Sequence, residues 1–382
     1  MNLSLTKPVT IIETLSGLKD ALVNIKEEKK IGFDLEADSM HHFPEKVCLL
    51  QVATKNCIFV IDTIKLKELS LLKPIFADNE ITKIFHGADY DVRSLFRDFN
   101  IEINNLFDSE LASRFLGVKE TGLEAVIRHR FNVYLEKKFT KRDWSKRPLI
   151  DDMLHYAADD VRYLVPLYEI LEKELNDIGR LFWVKEECDI LCSVRPDANN
   201  GEPLFLKFKG AGKLKPENLA VLEALLGFRK EIALKKDVPF FKIIGNAALL
   251  KLAETRPDSL NKIINTNVLS KRQMDMYGKD LLSIIHKAKK TPQGMLPVYP
   301  KKKANPIPAA VLQRIEAIIT WRNKKAGNLN IDPGILLNKA LITAISINNP
   351  VSVSELGQIS GMKNWQRSEF GGEIISILAK KQ

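Results

Sequence analysis

The sequence predicts an α+β layer with a mixed sheet, followed by two small all-α modules. Three observations carry this. Apolar strand-like runs alternate with helical patterns up to residue 107, and beyond it the pattern is helical. Pro, Gly and Asn cluster at 196–216 and again over 290–308, which is loop chemistry and marks two boundaries. After each boundary the same module is written, giving an expected partition of 1–205, 216–290 and 306–382.

Taken in order, "VTIIET" (9–14) and "KKIGFDLEAD" (29–38) predict strands around a helix beginning near Ser16. "KVCLLQVAT" and "CIFVID" follow as a hairpin across the short polar turn Lys55-Asn56. Next come a helix near 66–77, a strand at "TKIFHGA" (82–88) and a helix at "YDVRSLFRDF" (90–99). Thr121 and Glu124 predict a capping box before "LEAVIRHRF". Asp151 and Asp152 open a long helix, whose N-terminal dipole favours their charge.

The duplication rests on order and spacing. "LEALLGFRKE" (222–231) matches "IEAIITWRNK" (315–324), pairing Phe228-Arg229 with Trp321-Arg322. Asn246 and Asn338 follow those arginines, and Pro257 and Pro350 follow in turn. "YGKDLLSII" (277–285) then matches "FGGEIISIL" (370–378). Phe228, Tyr277, Trp321 and Phe370 fall on apolar helical faces and are expected core residues.

Composition is that of a globular protein, with 45% hydrophobic and 28% charged residues. No run approaches the roughly 18 apolar residues of a membrane span, and "MNLSLTKPVT" has no secretory-signal pattern. The four cysteines form no C-x-x-C pair; Cys188 and Cys192 lie four apart in an expected helix as small buried residues. A reducing, cytoplasmic compartment is expected. The net charge of +10 is unevenly placed. Residues 1–210 hold 30 Lys and Arg against 35 Asp and Glu, whereas 211–300 hold 16 against 8 and 301–382 hold 12 against 5. Basic surfaces attract polyanions, so the rear half is the expected nucleic-acid contact, with Lys301, Lys302 and Lys303 among the candidates. Solubility alone also explains a basic module.

"IGFDLEADSM" (31–40) puts Asp34 and Glu36 on one strand face, because alternate side chains point the same way. Two like charges so close repel unless a cation lies between them. Taken alone, the pattern also fits a strand running into a polar loop, since Asp38 and Ser39 follow. "FHGADYDVRSL" (85–95) adds Asp89 and Asp91 where a strand hands over to a helix. "HYAADDVRYL" (155–164) puts Tyr156 and Asp160 four apart on one helical face, in an apolar setting costly for an unpaired charge. Four carboxylates converging above a sheet suit two Mg²⁺ or Mn²⁺ ions, since hard cations take oxygen ligands.

On these motifs the chain resembles the ribonuclease D family of the DEDD 3′–5′ exonuclease superfamily. D-x-E is Asp34-Leu35-Glu36, the aromatic-Asp motif is Tyr90-Asp91, and Y-x-x-x-D runs from Tyr156 to Asp160. "NLFDSELASRFLG" (105–117) and "DWSKRPL" (143–149) resemble stretches of the same branch, and the duplicated module resembles the HRDC domain. The resemblance implies an RNase H-like exonuclease domain with two C-terminal HRDC domains. It implies Asp34, Glu36, Asp91 and Asp160 as ligands of two divalent ions. It also implies Tyr156 as the residue orienting the attacking water, since a phenol with a pKa near 10 is a poor base.

The expected activity is a 3′–5′ exoribonuclease releasing nucleoside 5′-monophosphates from tRNA or other structured RNA precursors, acting as a monomer away from membranes. The alternatives are a 3′–5′ exonuclease on single-stranded DNA and a non-catalytic RNA-binding scaffold. Asp89 is expected solvated or at a helix start, and His86 as a satisfied strand-end histidine. Met40, His41, His42 and Phe43 are candidates for the terminal-nucleotide pocket. Arg142 and Arg147 are candidates for phosphate, and Trp144 either stacks on a base or belongs to the core.

Overall fold

The computed structural model describes residues 7–197, 201–300 and 306–380, so Lys301, Lys302 and Lys303 lie outside the described residues. The described chain forms two compact units. The first draws on Met1–Ala37, Val47–Pro196 and Asn305–Gln382; the second on Asp38–Lys46 and Asp197–Ala304.

The first unit is built on β1 (Val9–Ile12), β2 (Lys30–Ala37), β3 (Val47–Ala53), β4 (Ile58–Asp62), β5 (Thr82–Phe85) and β6 (Leu106–Asp108). They make one mixed sheet in the order β1-β4-β3-β2-β5-β6. β2, β3 and β4 run antiparallel to their neighbours within the hairpins, while β1, β5 and β6 join in parallel. The β3–β4 turn is closed by the Thr54 hydroxyl, which accepts from the backbone N–H groups of Asn56 (3.3 Å) and Cys57 (2.9 Å). Every residue of β3 is buried, as a central strand covered on both faces must be.

Eight helices of this unit follow the strands: α1 (Leu15–Ile25), α2 (Lys73–Ala77), α3 (Asp89–Phe99), α4 (Ser109–Phe115), α5 (Leu123–Phe131), α6 (Asp151–Arg162), α7 (Leu164–Asp177) and α8 (Leu181–Cys192). Three local expectations are corrected. The helix expected at 66–77 shrinks to a short turn at Ser70–Leu72 and to α2, because Pro74 cannot occupy a helix interior and instead sits in the first turn. β6 falls inside a stretch expected to begin the helical region; three residues pairing with β5 are too short to show a strand period. The Thr121–Glu124 capping box does not form, since Gly122 is the N-cap of α5 and the Thr121 hydroxyl bonds Glu110 at 3.1 Å.

Strand β2 divides its residues by face. Phe33 packs on Phe76 and Phe85, with ring centroids 4.6 and 5.6 Å away, in the apolar core. Gly32, Asp34 and Glu36 take the other face, which α6 crosses together with β3 and β4. A Cβ on Gly32 would lie 2.9 Å from Leu164 Cβ, so glycine lets the α6–α7 junction descend onto the strand.

The last five helices are α14 (Ala309–Leu329), α15 (Pro333–Leu336), α16 (Lys339–Asn348), α17 (Val353–Leu356) and α18 (Asn364–Ala379), preceded in the chain by α9 to α13, described below. The sequence reading sets 306–382 apart, yet here it shares one core with the sheet. Trp365 is fully buried, stacked on Trp183 of α8 at 4.9 Å and edge-on to Phe115 of α4 at 5.5 Å. The Glu186 carboxylate accepts from the backbone N–H groups of Asn364 (2.6 Å) and Trp365 (2.8 Å), capping α18 from another helix. Glu187 accepts from Trp365 Nε1 at 2.9 Å and pairs with Lys363. Arg180 donates to the carbonyls of Phe115 (2.7 Å) and Leu329 (2.8 Å).

The second unit holds α9 (Pro216–Lys236), α10 (Phe240–Ile243), α11 (Asn246–Thr255), α12 (Leu260–Asn265) and α13 (Lys271–Lys289) around their own core. The duplication extends to individual bonds. Gln273 Nε2 donates to the Ile243 carbonyl at 2.8 Å, and Gln366 Nε2 to that of Leu336 at 2.8 Å. Arg229 and Arg322 reach the carbonyls of Ile244 (3.1 Å) and Leu337 (3.0 Å). Phe228 meets Tyr277 edge-on at 5.9 Å, as Trp321 meets Phe370 at 5.9 Å. Among the described residues, no helix is long and apolar enough to cross a membrane.

Trp365→Ala is expected to destabilise the first unit by about 3–5 kcal/mol, the cost of truncating a large buried aromatic. Urea unfolding followed by tryptophan fluorescence measures it, and an unshifted midpoint would show that α18 is only loosely attached.

Candidate active site

Four carboxylates approach one another on the α6 side of the sheet. Asp34 and Glu36 come from β2, Asp91 from the first turn of α3, and Asp160 from α6. The turn that delivers Asp91 is held by Asp108, a residue the sequence reading passed over. Its carboxylate accepts from the N–H groups of Gly87 (2.9 Å) and Ala88 (2.9 Å), and from those of Glu110 and Leu111 at the start of α4. Gly87 has φ of 79°, a left-handed conformation that glycine adopts without strain. The helix-start pattern "FDSE" is the signal that marks Asp108 as a cap.

Burial pushes the Asp34 carboxyl up to about 7. Burial, then the charges of Asp34, Asp160 and Asp91, raise Glu36 well above its ordinary range. Asp91 and Asp160 are raised the same way, by burial first and Asp34 next. The charges therefore feel one another directly. None of the four joins an ion pair among the described residues. Among those residues no three His, Cys, Asp or Glu side chains are already drawn into a ready-made metal-holding cluster. Hard oxygen donors, buried or half-buried and lacking a counter-charge, nevertheless fit divalent cations such as Mg²⁺ or Mn²⁺, which would relieve the repulsion.

Tyr156 stands one helical turn before Asp160. Its hydroxyl lies 3.2 Å from Thr140 Oγ1, within hydrogen-bond distance, and Thr140 Oγ1 also lies 3.2 Å from the Lys137 carbonyl. Burial first, then the charge of Asp160, pushes the Tyr156 hydroxyl up to about 12, so it keeps its proton at neutral pH. Phe139 meets its ring edge-on at 5.7 Å, and Trp144 lies 6.1 Å away. A cleft of about 390 Å³ opens here, lined by Tyr134, Lys138, Phe139, His155, Tyr156 and Asp160 among others.

The remaining candidates separate clearly. Trp144 is core, 1% exposed. Arg142 is exposed, with its guanidinium 5.9 Å from the Phe139 ring centroid. Arg147 is corrected from phosphate ligand to structural clamp, because its donors are already used. Nε and Nη2 bind the two oxygens of buried Asp62 (2.5 and 2.7 Å), and the other contacts go to the carbonyls of Cys48, Trp144 and Lys146. His42 is engaged by Asp237 at 2.7 Å, and Phe43 packs on Phe240 at 4.3 Å, so their segment is anchored within the second unit. Met40 is exposed on that segment. Asp89 is exposed and ion-paired with Arg93 at 2.7 Å. His86 Nδ1 lies 2.9 Å from the Ser109 hydroxyl, but its buried Nε2 has no hydrogen-bond partner among the described residues, so the expectation of a satisfied histidine is met at one ring nitrogen only.

A family model described as 3′–5′ exonuclease matches residues 9–176, and the HRDC domain model matches 218–285 and 311–378. Together with these, ribonuclease D of Haemophilus influenzae is 27% identical over 271 residues, covering 70% of this chain and 68% of that protein. The chain belongs to the ribonuclease D-like family of 3′–5′ exonucleases. RRP6-like protein 2 of Arabidopsis thaliana is 29% identical over 269 residues, covering 67% of this chain but only 31% of that protein. The chain thus spans about a third of the length of that relative. In fold, the ribonuclease D-like chain aligns with the crystal structure of Escherichia coli RNase D at a TM-score of 0.74 and 22% identity, over 97% of this chain and 99% of that one.

Arg147→Ala is expected to cost about 3–5 kcal/mol at pH 7, since it strands the buried Asp62 charge. Burial works to raise Asp62, but the Arg147 hydrogen bonds and charge outweigh it and hold the carboxyl below its usual range. A depressed carboxyl contributes stability that is present above its unfolded pKa of about 4 and lost as pH falls through the folded value. The wild-type chain should therefore lose stability more steeply than the variant below about pH 4. Parallel acid limbs in pH-dependent unfolding would show that the pair is idle.

Proposed function

We propose that this chain is a divalent-metal-dependent 3′–5′ exoribonuclease that removes nucleoside 5′-monophosphates from RNA 3′ ends, with tRNA and other structured precursors as the substrate class. The carrying observation is that Asp34, Glu36, Asp91 and Asp160, buried or half-buried, converge with all four pKa values raised and no protein counter-cation among the described residues. Those four residues would hold two divalent ions, which when bound supply activation of water and stabilisation of the departing 3′ oxygen. We place the protein in the cytoplasm, consistent with its four free thiols.

The chain's own residues do the positioning. Tyr156, which keeps its proton at neutral pH and is held by Thr140 at 3.2 Å, presents a neutral hydroxyl that aligns the incoming water. Phe139, 2% exposed, backs the Tyr156 ring, and the exposed Arg142 beside it offers a cation to the phosphate. The basic helical modules supply further phosphate contacts.

Asp34→Asn and Asp91→Asn are expected to abolish cleavage while the protein stays folded, as is excess EDTA. The check is parallel digestion of 3′-labelled tRNA precursor, single-stranded RNA and single-stranded DNA with Mg²⁺ and with Mn²⁺. Full activity in EDTA, or cleavage of the DNA alone, would sink the proposal. Tyr156→Phe should lower kcat by about 10²–10⁴-fold with KM nearly constant, because positioning of the water is lost and not RNA binding. Unchanged turnover would reduce Tyr156 to a packing residue.

A further inference from the structure

Strand β3 reads Val47-Cys48-Leu49-Leu50-Gln51-Val52-Ala53, a single polar side chain in an otherwise apolar buried strand. Gln51 is fully buried, and neither its amide oxygen nor its amide nitrogen has a hydrogen-bond partner. A buried amide left unsatisfied is destabilising, and a methionine or leucine would fill the same space without that cost. The residue is therefore held here against the preference of the core.

Its position says why. In the antiparallel β2–β3 ladder Gln51 is directly opposite Asp34, so the two side chains share the face beneath α6, with Cβ atoms about 4.5–5.5 Å apart. On its other side Gln51 faces Val60 of β4, which offers it nothing polar. Asp34 itself is partly buried and carries a hydrogen bond from the Leu35 backbone. The chain thus places an unpaired donor beside a carboxylate that joins no ion pair among the described residues. An arginine or lysine here would neutralise the carboxylates and compete with a cation, and an acid would add repulsion. An amide donates a hydrogen bond while adding no charge.

We propose that Gln51 is a positioning residue for Asp34. Once Asp34 is ionised around a divalent cation, the Gln51 amide N–H donates to its carboxylate and fixes which oxygen lone pairs face the cation. Hydrogen bonds to a metal ligand orient it in this way, and their loss costs about 10–100-fold in metal affinity. The inference rests on the metal reading above and names a residue outside the four-carboxylate set.

The test uses the full chain and Gln51→Met. Mn²⁺ affinity is measured by isothermal titration calorimetry, the thermal midpoint in EDTA by scanning calorimetry, and kcat and KM on a short single-stranded RNA. The expected result is Mn²⁺ binding weaker by about 10–100-fold, a fall in kcat with KM unchanged, and a metal-free midpoint equal to or above that of the parent. Unchanged Mn²⁺ affinity and kcat overturn the proposal, and so does a lower metal-free midpoint, which would make Gln51 a structural residue. Should the variant fold poorly, the side-chain amide resonance of Gln51 in the parent decides. It should shift and exchange more slowly on addition of Mg²⁺, and an unmoved resonance overturns the proposal. A parent chain that takes up no Mn²⁺ sinks the metal reading itself, whereas normal uptake by both proteins sinks only the role of Gln51.

Discussion

Four carboxylates, buried or half-buried within electrostatic reach of one another, repel, and each also gives up part of its water. Their raised pKa values record both costs. The surrounding structure is arranged so that this concentration of charge is held in place, not relieved by collapse. β2 sits at the middle of the sheet, with its apolar residues locked against Phe76 and Phe85. α6 is brought down by Gly32 until Asp160 faces Asp34. The Asp108 carboxylate ties the turn before α3 to the start of α4 and so aims Asp91. Removing any of these supports would let the like charges separate.

The loop before α6 shows how a fold serves chemistry with residues that look catalytic but are not. Arg147 and buried Asp62 form a bidentate pair that fastens residues 143–149 to β4, and Trp144 fills the core beneath. With that anchor set, Phe139, Thr140 and Arg142 are presented beside Tyr156. The arginine with the most hydrogen bonds is the structural one, and the exposed arginine is the candidate for substrate. Saturated donors are poor ligands because a phosphate would have to displace bonds already made.

The charge asymmetry of the sequence also acquires a second use. Acidic α8 receives the start of α18 through Glu186 and Glu187, with Lys363 and two backbone N–H groups as partners. Part of the contrast between front and rear therefore joins the last helical module to the sheet unit. The first helical module keeps its own core and repeats the same internal bonds, from Gln273 to Ile243 and from Arg229 to Ile244. Duplicated sequence has produced two modules of like construction and unlike attachment, since only α18 carries the Trp365 that stacks on Trp183.

The sequence by itself determined the strands that alternate apolar and polar faces, the helical repeat, and the four carboxylates and Tyr156 as a candidate set. These are local signals: period, spacing and turn chemistry are written in neighbouring residues. Short β6, the failed capping box at Thr121 and the broken helix before Pro74 escaped it, because pairing and packing outweighed weak local preference. Only the tertiary structure decided what Arg147, His42 and Asp108 bind and what Gln51 lies beside. Their partners lie far away in sequence: Asp62 for Arg147, Asp237 for His42, Gly87 for Asp108, and for Gln51 the cross-strand position of Asp34. A side chain's chemistry is fixed by its residue type, but whether it is spent on the fold or left for a ligand depends on what folding brings beside it.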